Sequence, residues 1–314
     1  MLLGLPEFEM FFSRSVEETC ALLSEHGRDA QIVAGGTDLF VKMKQRRLVP
    51  SVLINIKRIS GLDQIRYDAS DGLHIGPLTT IQAIRESALI AERFPVLSEA
   101  AGVLGTEQVR NLGTLGGNLG NASPSAEFAP PLLILNASVR CLGRSGERVV
   151  PLDGFFVGPG KSALEADEVI TDIQVPNPPA CQGAGRPDRA QLVYLKHSLR
   201  RMDVAMAAAA VLVLLDGDFC RDVRIALGAV APTVFRARGA EQALIGKRLT
   251  GDSRESELLE EVAQVAVGEA RPIDDIRGYA SYRRKVIAML VRHGLEHVIA
   301  KARTQATGRH ANEI

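Results

Sequence analysis

The stretch Thr114-Leu-Gly-Gly-Asn118, which continues into Asn121-Ala-Ser-Pro-Ser-Ala-Glu127, decides the fold together with Val33-Ala-Gly-Gly-Thr-Asp-Leu39, about 80 residues earlier. Each segment is a Gly-Gly elbow followed by a small polar residue. Because glycine has no Cβ, it admits positive φ and exposes consecutive N–H groups that can hold phosphate oxygens. Neither segment contains Lys or Arg, so phosphate would be held by backbone dipoles. The two elbows therefore predict a dinucleotide bridged by two loops, with nearby polar or acidic side chains on its ribose or ribityl hydroxyls.

Size and composition set the class of protein. A chain of 314 residues suits two or three packed units. Lys+Arg and Asp+Glu are 37 each, so the net charge is zero and gives no general case for binding nucleic acid or acidic membranes. A neutral chain fits a subunit that functions within a complex. The lack of Trp and an aromatic content of 4% argue against a carbohydrate- or base-stacking surface.

Targeting and redox signals favour the cytoplasm. The N-terminus carries Glu7 and Glu9 and no basic region, so we expect no signal peptide. The longest apolar run, residues 204–215, is too short to span a bilayer. No C-x-x-C occurs, which predicts free thiols in a reducing compartment and no iron–sulfur or zinc site in this chain. The cysteines are Cys20, Cys141, Cys181 and Cys220.

The first two predicted domains, residues 1–57 and 58–180, mix short helices and strands. A capping box, Ser15-Val-Glu-Glu18, predicts a helix from Val16 to about Glu25. The apolar patterns predict strands at 31–34, 52–56, 73–75, 138–142 and 169–175, and helices at 80–88, 96–102 and 125–135.

A segment with four prolines and two glycines, residues 176–187, predicts a domain boundary. Beyond it, residues 190–303 predict an α+β domain of three strands followed by helices, and residues 304–314 a frayed polar tail. The expected strands are 191–196, 205–215 and 223–227, and the expected helices are 234–244, 255–266 and 279–301.

Three further motifs favour structural interpretations. Gly158-Pro-Gly-Lys-Ser-Ala163 resembles the end of a phosphate loop, but Phe155 stands where the Walker spacing needs Gly, and Pro159 removes an N–H. His293-Gly-Leu-Glu-His297 matches a zinc-protease pattern, yet no third ligand is suggested and solvent-facing histidines are expected. Asp274-Asp275 is expected in a loop that leads into a helix, with a catalytic acid pair as the alternative.

Several segments in order along nearly the whole chain resemble the FAD-binding medium subunit of the xanthine dehydrogenase family of molybdenum hydroxylases, which includes the flavoproteins of carbon monoxide dehydrogenase and 4-hydroxybenzoyl-CoA reductase. The segments are Val33–Leu39, Asn111–Asn118, Asn121–Glu127, Phe155–Gly158 with Asp167–Ile170, Lys196–Ala205, Arg224–Thr233 and Tyr282–Val286.

The resemblance implies two FAD-binding subdomains of the vanillyl-alcohol-oxidase (PCMH) type, followed by the α+β domain. Residues 32–39 would hold one side of the FAD pyrophosphate and residues 114–118 the other. Glu127 would contact ribose or ribityl hydroxyls, Lys196 would lie near the flavin, and Leu104 stands where a relative carries an aromatic. The implied cofactor-binding residues are Ile32, Val33, Ala34, Gly35, Gly36, Thr37, Asp38, Leu39, Leu104, Thr114, Leu115, Gly116, Gly117, Asn118, Ser123, Glu127, Ile170 and Lys196.

The implied activity is that of an oxidoreductase subunit with no catalytic side chain and no metal of its own. The cysteine-rich insertion of the 4-hydroxybenzoyl-CoA reductase flavoprotein is missing after Gly120, so FAD is the only cofactor expected here. The family implies partners, namely a small subunit with [2Fe–2S] clusters and a large molybdopterin subunit, assembled as a dimer of heterotrimers. Electrons would pass between those clusters and a carrier such as NAD, a quinone or ferredoxin.

Two alternatives stay open at this point. A self-contained flavin oxidoreductase would bind its substrate over the flavin, and its acid–base groups would come from His197, Arg200 and Arg201. A non-catalytic assembly subunit would have kept the fold and lost the flavin, but both glycine segments are intact. Co-purification with molybdenum and iron–sulfur subunits separates these alternatives from the relay.

Overall fold

A computed structural model describes residues 4–181 and 188–310. The chain forms two compact units. The first comprises the residues up to Ser87 together with Gly105–Ser123 and Asn136–Pro176. The second comprises Ala88–Leu104, Pro124–Leu135 and the residues from Asn177 onward. The division into residues 1–57, 58–180 and 190–303 stays a prediction.

Strands and helices alternate through the first unit, and long strands precede long helices in the second. The strands are β1 (Glu9–Phe12), β2 (Ala30–Val33), β3 (Val52–Asn55), β4 (Ile65–Asp68), β5 (Gly72–Ile75), β6 (Ser138–Gly143), β7 (Gly146–Pro151), β8 (Phe156–Gly158), β9 (Lys161–Ser162), β10 (Val169–Val175), β11 (Ala180–Cys181), β12 (Asp188–Arg189), β13 (Gln191–His197), β14 (Ala207–Asp216), β15 (Phe219–Gly228) and β16 (Phe235–Arg236). The α-helices are α1 (Val16–His26), α2 (Leu39–Lys44), α3 (Ile81–Glu86), α4 (Ala88–Arg93), α5 (Pro95–Val103), α6 (Glu107–Leu112), α7 (Leu115–Gly120), α8 (Ala129–Ile134), α9 (Arg238–Leu244), α10 (Ser253–Glu269) and α11 (Ala280–His310).

The first unit contains a parallel sheet of order β1-β3-β2 and an antiparallel sheet of order β4-β5-β10-β6-β7. Helix α1 begins where the capping box predicted. The Ser15 hydroxyl accepts from the Glu18 amide at 3.1 Å, and the Glu18 carboxylate accepts from the Arg14 amide at 2.7 Å. The first bond satisfies an amide that the first turn of a helix leaves unpaired, and the second ties Glu18 to the residue before the cap.

The second unit is built on the antiparallel sheet β13-β14-β15-β16, against which α11 packs. Strand β14 is buried along its length except at Asp216, because it is covered on both faces as its continuous apolar sequence indicates. Gly294 lets α11 approach this strand: a Cβ at that position would lie 2.8 Å from the Val211 side chain. His293 and His297 are exposed on α11, and the described residues contain no cluster suited to a metal ion.

Among the elements that differ from the sequence prediction are α8, α9 and α11. Helix α8 starts at Ala129 and not at residue 125, because Pro130 and Pro131 are tolerated only in a first turn, where amides need no helical partner. The predicted helix 234–244 begins four residues late, since Phe235–Arg236 form the short fourth strand, β16, against β15. Helix α11 continues to His310, nine residues beyond the prediction, so the tail from Thr304 is helical up to that point.

The remaining expectations concern linkers and thiols. Part of the predicted boundary (residues 182–187), the last four residues and the Cys181 side chain lie outside what the structure describes. Cys20, Cys141 and Cys220 are free and buried, and burial raises the pKa of these thiols to about 11, 11 and 12. No helix in the described ranges has both the length and the apolar content to cross a membrane.

A buried carboxylate in the second unit provides a stability test. Glu241 accepts from the Ile225 amide at 2.9 Å and from two guanidinium nitrogens of Arg236 at 2.8 and 2.9 Å. We expect Glu241→Ala to lower the free energy of unfolding by about 3–5 kcal/mol, because it leaves the buried Arg236 uncompensated. Glu257→Ala, at an exposed position of α10, should change it by less than about 0.5 kcal/mol. Equal effects of the two substitutions in urea unfolding would contradict this role for Glu241.

Candidate functional site

The first glycine segment leaves β2 and turns into α2. Gly36 has φ +71°, in the left-handed region that favours glycine, and a Cβ there would lie 2.5 Å from the Phe40 ring. Within the described chain, the amides of Gly35, Gly36 and Thr37 donate no hydrogen bond. This segment therefore offers consecutive N–H groups to a ligand, as the sequence predicted.

The second glycine segment is the start of a helix and not an open loop. Thr114 is the N-cap of α7, and its hydroxyl accepts from the Gly117 amide at 3.1 Å. The Leu115 amide donates to the Thr79 carbonyl at 3.0 Å and the Gly116 amide to the Pro77 carbonyl at 2.9 Å. The expectation that this segment exposes consecutive amides is therefore wrong, because neighbouring carbonyls and the cap satisfy them. What glycine provides here is close packing: a Cβ on Gly116 would lie 2.5 Å from the Pro77 Cβ.

The fold brings the two glycine segments into contact. A Cβ on Gly35 would lie 2.1 Å from the carbonyl oxygen of Leu112, which comes just before the second segment. A Cβ on Gly113 would lie 3.6 Å from the Thr37 hydroxyl. Beyond each segment, the Lys42 ammonium donates to the Asn121 side-chain oxygen at 2.5 Å. Two segments about 80 residues apart in sequence thus form one backbone surface, which is the arrangement that the sequence predicted.

An unpaired polar atom lies in this surface. The side-chain oxygen of Asn118 is buried and has no hydrogen-bond partner among the described residues. Such an atom costs about 1–3 kcal/mol when nothing donates to it. The Asn118 amide group therefore suits a bound molecule with a donor, such as a hydroxyl or an amine, and the fit supports a cofactor at this position.

Other predicted residues of the first unit surround the same segments. Desolvation raises the pKa of the Asp38 carboxyl above its usual value, although the neighbouring Lys42 acts in the opposite direction. Ile170 lies on β10, with its Cδ1 3.9 Å from the position of a Cβ on Gly120, at the end of α7. Ser123 follows Ala122, whose φ of +46° turns the chain after α7.

The predicted residues of the second unit meet around an ion pair. The Lys196 ammonium donates to the Glu127 carboxylate at 3.0 Å and to the Val103 carbonyl at 2.9 Å. Both side chains are buried, with 3% of Lys196 and 11% of Glu127 exposed. Leu104 is also buried and follows Val103 directly. Glu127 is therefore fixed by protein contacts, so the pair adds little net charge to this part of the molecule.

Tyr194 is a residue that the sequence reasoning missed. It lies two residues before Lys196 on β13, and the alternation of side chains places both on one face of the strand. Its hydroxyl is buried without a hydrogen-bond partner in the described ranges. Burial and the negative charge of Glu127 raise the pKa of Tyr194 well above its usual value. The two-residue spacing from Lys196 was the available signal.

The motif Gly158–Ala163 forms a hairpin and not a phosphate loop, as expected. Strands β8 and β9 pair around Pro159 and Gly160, and Gly160 has φ +69°. The Gly160 amide donates to the Ala122 carbonyl at 3.0 Å and is not available to a ligand.

The Asp274 carboxylate accepts from the Ala280 amide at the start of α11, which confirms a loop leading into a helix.

The close packing at Gly116 generates a prediction. Helix propensity alone would make Gly→Ala in a helix stabilising by about 1 kcal/mol. We expect Gly116→Ala to destabilise the chain by about 1–3 kcal/mol, because the new Cβ overlaps Pro77. Gly154→Ala, where a Cβ meets nothing within 4 Å, is the control and should leave stability nearly unchanged. Urea unfolding measures both, and a stabilising Gly116→Ala would refute the contact.

Comparisons with known proteins were made for the whole chain. The family model for the FAD binding domain in molybdopterin dehydrogenase matches residues 6–178, and the model for the CO dehydrogenase flavoprotein C-terminal domain matches residues 193–298. The first of these matches alone spans more than half of the chain. The matches confirm the order of domains that the resemblance implied.

Curated relatives and solved structures agree with these matches. The carbon monoxide dehydrogenase medium chain of Hydrogenophaga pseudoflava is 35% identical over 94% of this chain and 98% of its own. The nicotine 6-hydroxylase medium subunit of Paenarthrobacter nicotinovorans is 33% identical over 96% and 99%. Among structures, carbon monoxide dehydrogenase from Hydrogenophaga pseudoflava aligns with a TM-score of 0.87 and 35% identity, over 95% of this chain and 99% of that one. The chain belongs to the FAD-binding medium chains of the carbon monoxide dehydrogenase and xanthine dehydrogenase family of molybdenum hydroxylases, whose members are subunits of oxidoreductase complexes.

Proposed function

We propose that this FAD-binding subunit relays electrons between [2Fe–2S] clusters of a small partner subunit and an external carrier such as NAD, a quinone or ferredoxin. The observation that supports this proposal most directly is the contact between the two glycine segments. Among the described residues, the first segment has amides that donate no hydrogen bond, and the Asn118 side-chain oxygen beside them has no partner. FAD, when bound, supplies the capacity to take up electrons singly and to release them as a pair. The protein supplies the binding surface and the electrostatics.

The residues divide this work between the two units. In the first unit, the amides of Gly35, Gly36 and Thr37 would hold the pyrophosphate, because they are the unbonded donors of the surface. The Asn118 oxygen would accept from a cofactor hydroxyl or amine. Segments 32–39 and 114–118, Ser123 and Ile170 form this part of the proposed site.

In the second unit, the residues that we propose for cofactor binding are Leu104, Glu127 and Lys196. The Lys196 ammonium supplies positive charge toward the flavin, and Glu127 limits its net effect because the two are paired. No side chain of the described residues is assigned a nucleophilic or acid–base role. Selection of the organic substrate belongs to the molybdenum subunit, which fits relatives named for substrates as different as carbon monoxide and nicotine.

The proposed assembly is a cytoplasmic dimer of heterotrimers with a small iron–sulfur subunit and a large molybdopterin subunit. The names "medium chain" and "medium subunit" of the relatives support partners of smaller and larger size. Three buried free thiols support a reducing compartment.

The native complex, purified through a tag on this chain, tests the function. We expect flavin absorption near one FAD per chain, with iron and molybdenum in co-purified subunits, and reduction of the flavin by the partner's clusters. Flavin on a lone chain that turns over its own substrate would contradict the relay and favour a self-contained oxidoreductase, whose predicted acid–base groups are His197, Arg200 and Arg201. A chain without flavin under any condition would remove the basis of the proposal.

Asn118→Ala tests the site. The Asn118 oxygen accepts from none of the described residues, so we expect the free energy of unfolding of the flavin-free chain to change by less than about 1 kcal/mol. The affinity for FAD should fall about tenfold, as for one lost hydrogen bond of about 1.4 kcal/mol. Asn111→Ala, at an exposed position of α6, should change neither quantity. Equal FAD affinity of the Asn118 variant and the wild type would place Asn118 outside the site.

A further inference from the structure

A cation lies beside the candidate cofactor site of the first unit, although neither glycine segment contains one. Lys42 is on α2, three residues after the first glycine segment ends at Leu39. Its half-buried side chain donates to the Asn121 side-chain oxygen at 2.5 Å. Asn121 is the residue that ends α7, so this hydrogen bond joins the helix after the first segment to the helix that contains the second.

The direction of the Lys42 side chain brings its ammonium back toward the first glycine segment. On an α-helix the Cα–Cβ bonds tilt toward the N-terminus, so a long side chain covers the turn that precedes its own Cα. For Lys42 that turn begins at Asp38, whose carbonyl accepts from the Lys42 amide at 3.0 Å. Directly before it stand residues 35–37, whose amides donate no hydrogen bond within the described ranges. The ammonium therefore lies over the turn that follows these amides.

The bond to Asn121 also places the ammonium on the side of α7 that carries the unpaired Asn118 oxygen. The helical turn continues to Asn121, because its amide donates to the Gly117 carbonyl at 3.0 Å. Side chains three residues apart on a helix share a face, with about 5–6 Å between their Cβ atoms. Asn118 and Asn121 are related in this way. The Lys42 ammonium and the Asn118 oxygen, which accepts from no described residue, are therefore on one side of α7.

The ammonium of Lys42 is incompletely bonded. Among the residues that the structure describes, it forms no ion pair, and Asn121 accepts the one hydrogen bond that it donates. An ammonium has more N–H donors than this bond uses, and it has no acceptor function. Lys42 can therefore donate to an anionic ligand without giving up its contact with Asn121.

The neighbouring carboxylate makes a cation useful here. Asp38 lies one helical turn before Lys42, and the charges of the two side chains interact. An ionised carboxylate at the start of α2 would repel a phosphate bound by the amides of residues 35–37, since charges in a partly desolvated site interact more strongly than in water. A positive charge over the same turn offsets this repulsion and attracts the phosphate.

We propose that Lys42 is a further cofactor-binding residue, whose ammonium binds the pyrophosphate of FAD together with the amides of residues 35–37. The inference rests on the proposed function, because it takes the presence of FAD in this site from it. Hydrogen bonds from a charged donor to phosphate are shorter and stronger than those between neutral groups. Lys42 thus supplies the positive charge that the two glycine segments lack, and it favours a flavin that carries a diphosphate.

The native complex, purified through a tag on this chain and freed of its flavin, tests the role of Lys42. We expect Lys42→Met to raise the Kd for FAD about tenfold, as for the loss of one charge-assisted hydrogen bond. The Kd of the wild type should rise between about 0.05 and 0.5 M NaCl, because salt screens the ammonium from the phosphates. The Kd of the Lys42→Met variant should rise less. Equilibrium dialysis against FAD measures both quantities.

Three further variants separate this role from a general effect of charge and from a structural link between α2 and α7. Lys44→Met removes the same charge at an exposed position of the same helix and should leave both quantities at wild-type values. Asn121→Ala removes the hydrogen bond between the helices but keeps the ammonium, so the salt dependence should remain. Lys42→Arg keeps the charge and should lose less affinity than Lys42→Met.

The outcomes distinguish this inference from the proposed function. A wild-type complex that takes up no FAD overturns both. If the wild type binds FAD, the role of Lys42 alone is overturned when Lys42→Met binds FAD as tightly as the wild type, or more weakly with an unchanged salt dependence. It is also overturned when Lys44→Met or Asn121→Ala reproduces both effects of Lys42→Met. If Lys42→Met fails to fold, Lys42→Gln, which keeps an N–H donor and removes the charge, decides by the same two measurements.

Discussion

Close backbone contacts that leave no room for a Cβ determine the architecture of the candidate cofactor site. Gly35 meets the carbonyl of Leu112, and Gly116 meets Pro77, each at a separation that an alanine would violate. Glycine is costly because it loses the most conformational freedom on folding. Here that cost is offset by bringing two distant segments into contact, where the N–H groups of the first remain unbonded. The second segment then contributes a rigid helix start and the Asn118 side chain.

Sequence patterns predicted correctly those helices and strands that depend on neighbouring residues in the chain. The cap at Ser15 and the apolar pattern of residues 169–175 predicted α1 and β10 almost to the residue, since each depends on neighbours in sequence. The family resemblance was correct because it used the order of many segments. The prediction that both glycine segments expose their amides failed for the second one. Its partners, the carbonyls of Pro77 and Thr79, come from about 40 residues away, and no local pattern reports them.

The electrostatics of the predicted residues in the second unit also depend on a contact that no local sequence pattern reports. The family resemblance implied Glu127 and Lys196 as separate contributors, an acid for hydroxyls and a cation for the flavin. The structure joins them in a buried pair, which is a tertiary contact between β13 and the segment before α8. Removing either partner would strand the other charge at a cost of several kcal/mol. Each residue therefore also has a structural role. Tyr194 lies on the same face of β13 as Lys196, and the negative charge of Glu127 helps to raise the pKa of Tyr194.

The exposed backbone donors and side chains of this chain are consistent with the proposed function. Its glycine surface has unbonded backbone donors and a neutral amide, which suit a phosphate-bearing cofactor. Among the described residues, the four most exposed large apolar side chains, Ile276, Tyr279, Leu199 and Ile273, lie in the second unit, on the turn before α11 and in the loop after β13. Relatives with similar medium chains are named for chemically unrelated substrates, so substrate recognition need not leave a trace here. Under the proposed function, such a chain must preserve a place for FAD and a surface for the subunit that exchanges electrons with it. The uncommon backbone conformations and exposed side chains of this sequence serve these two requirements.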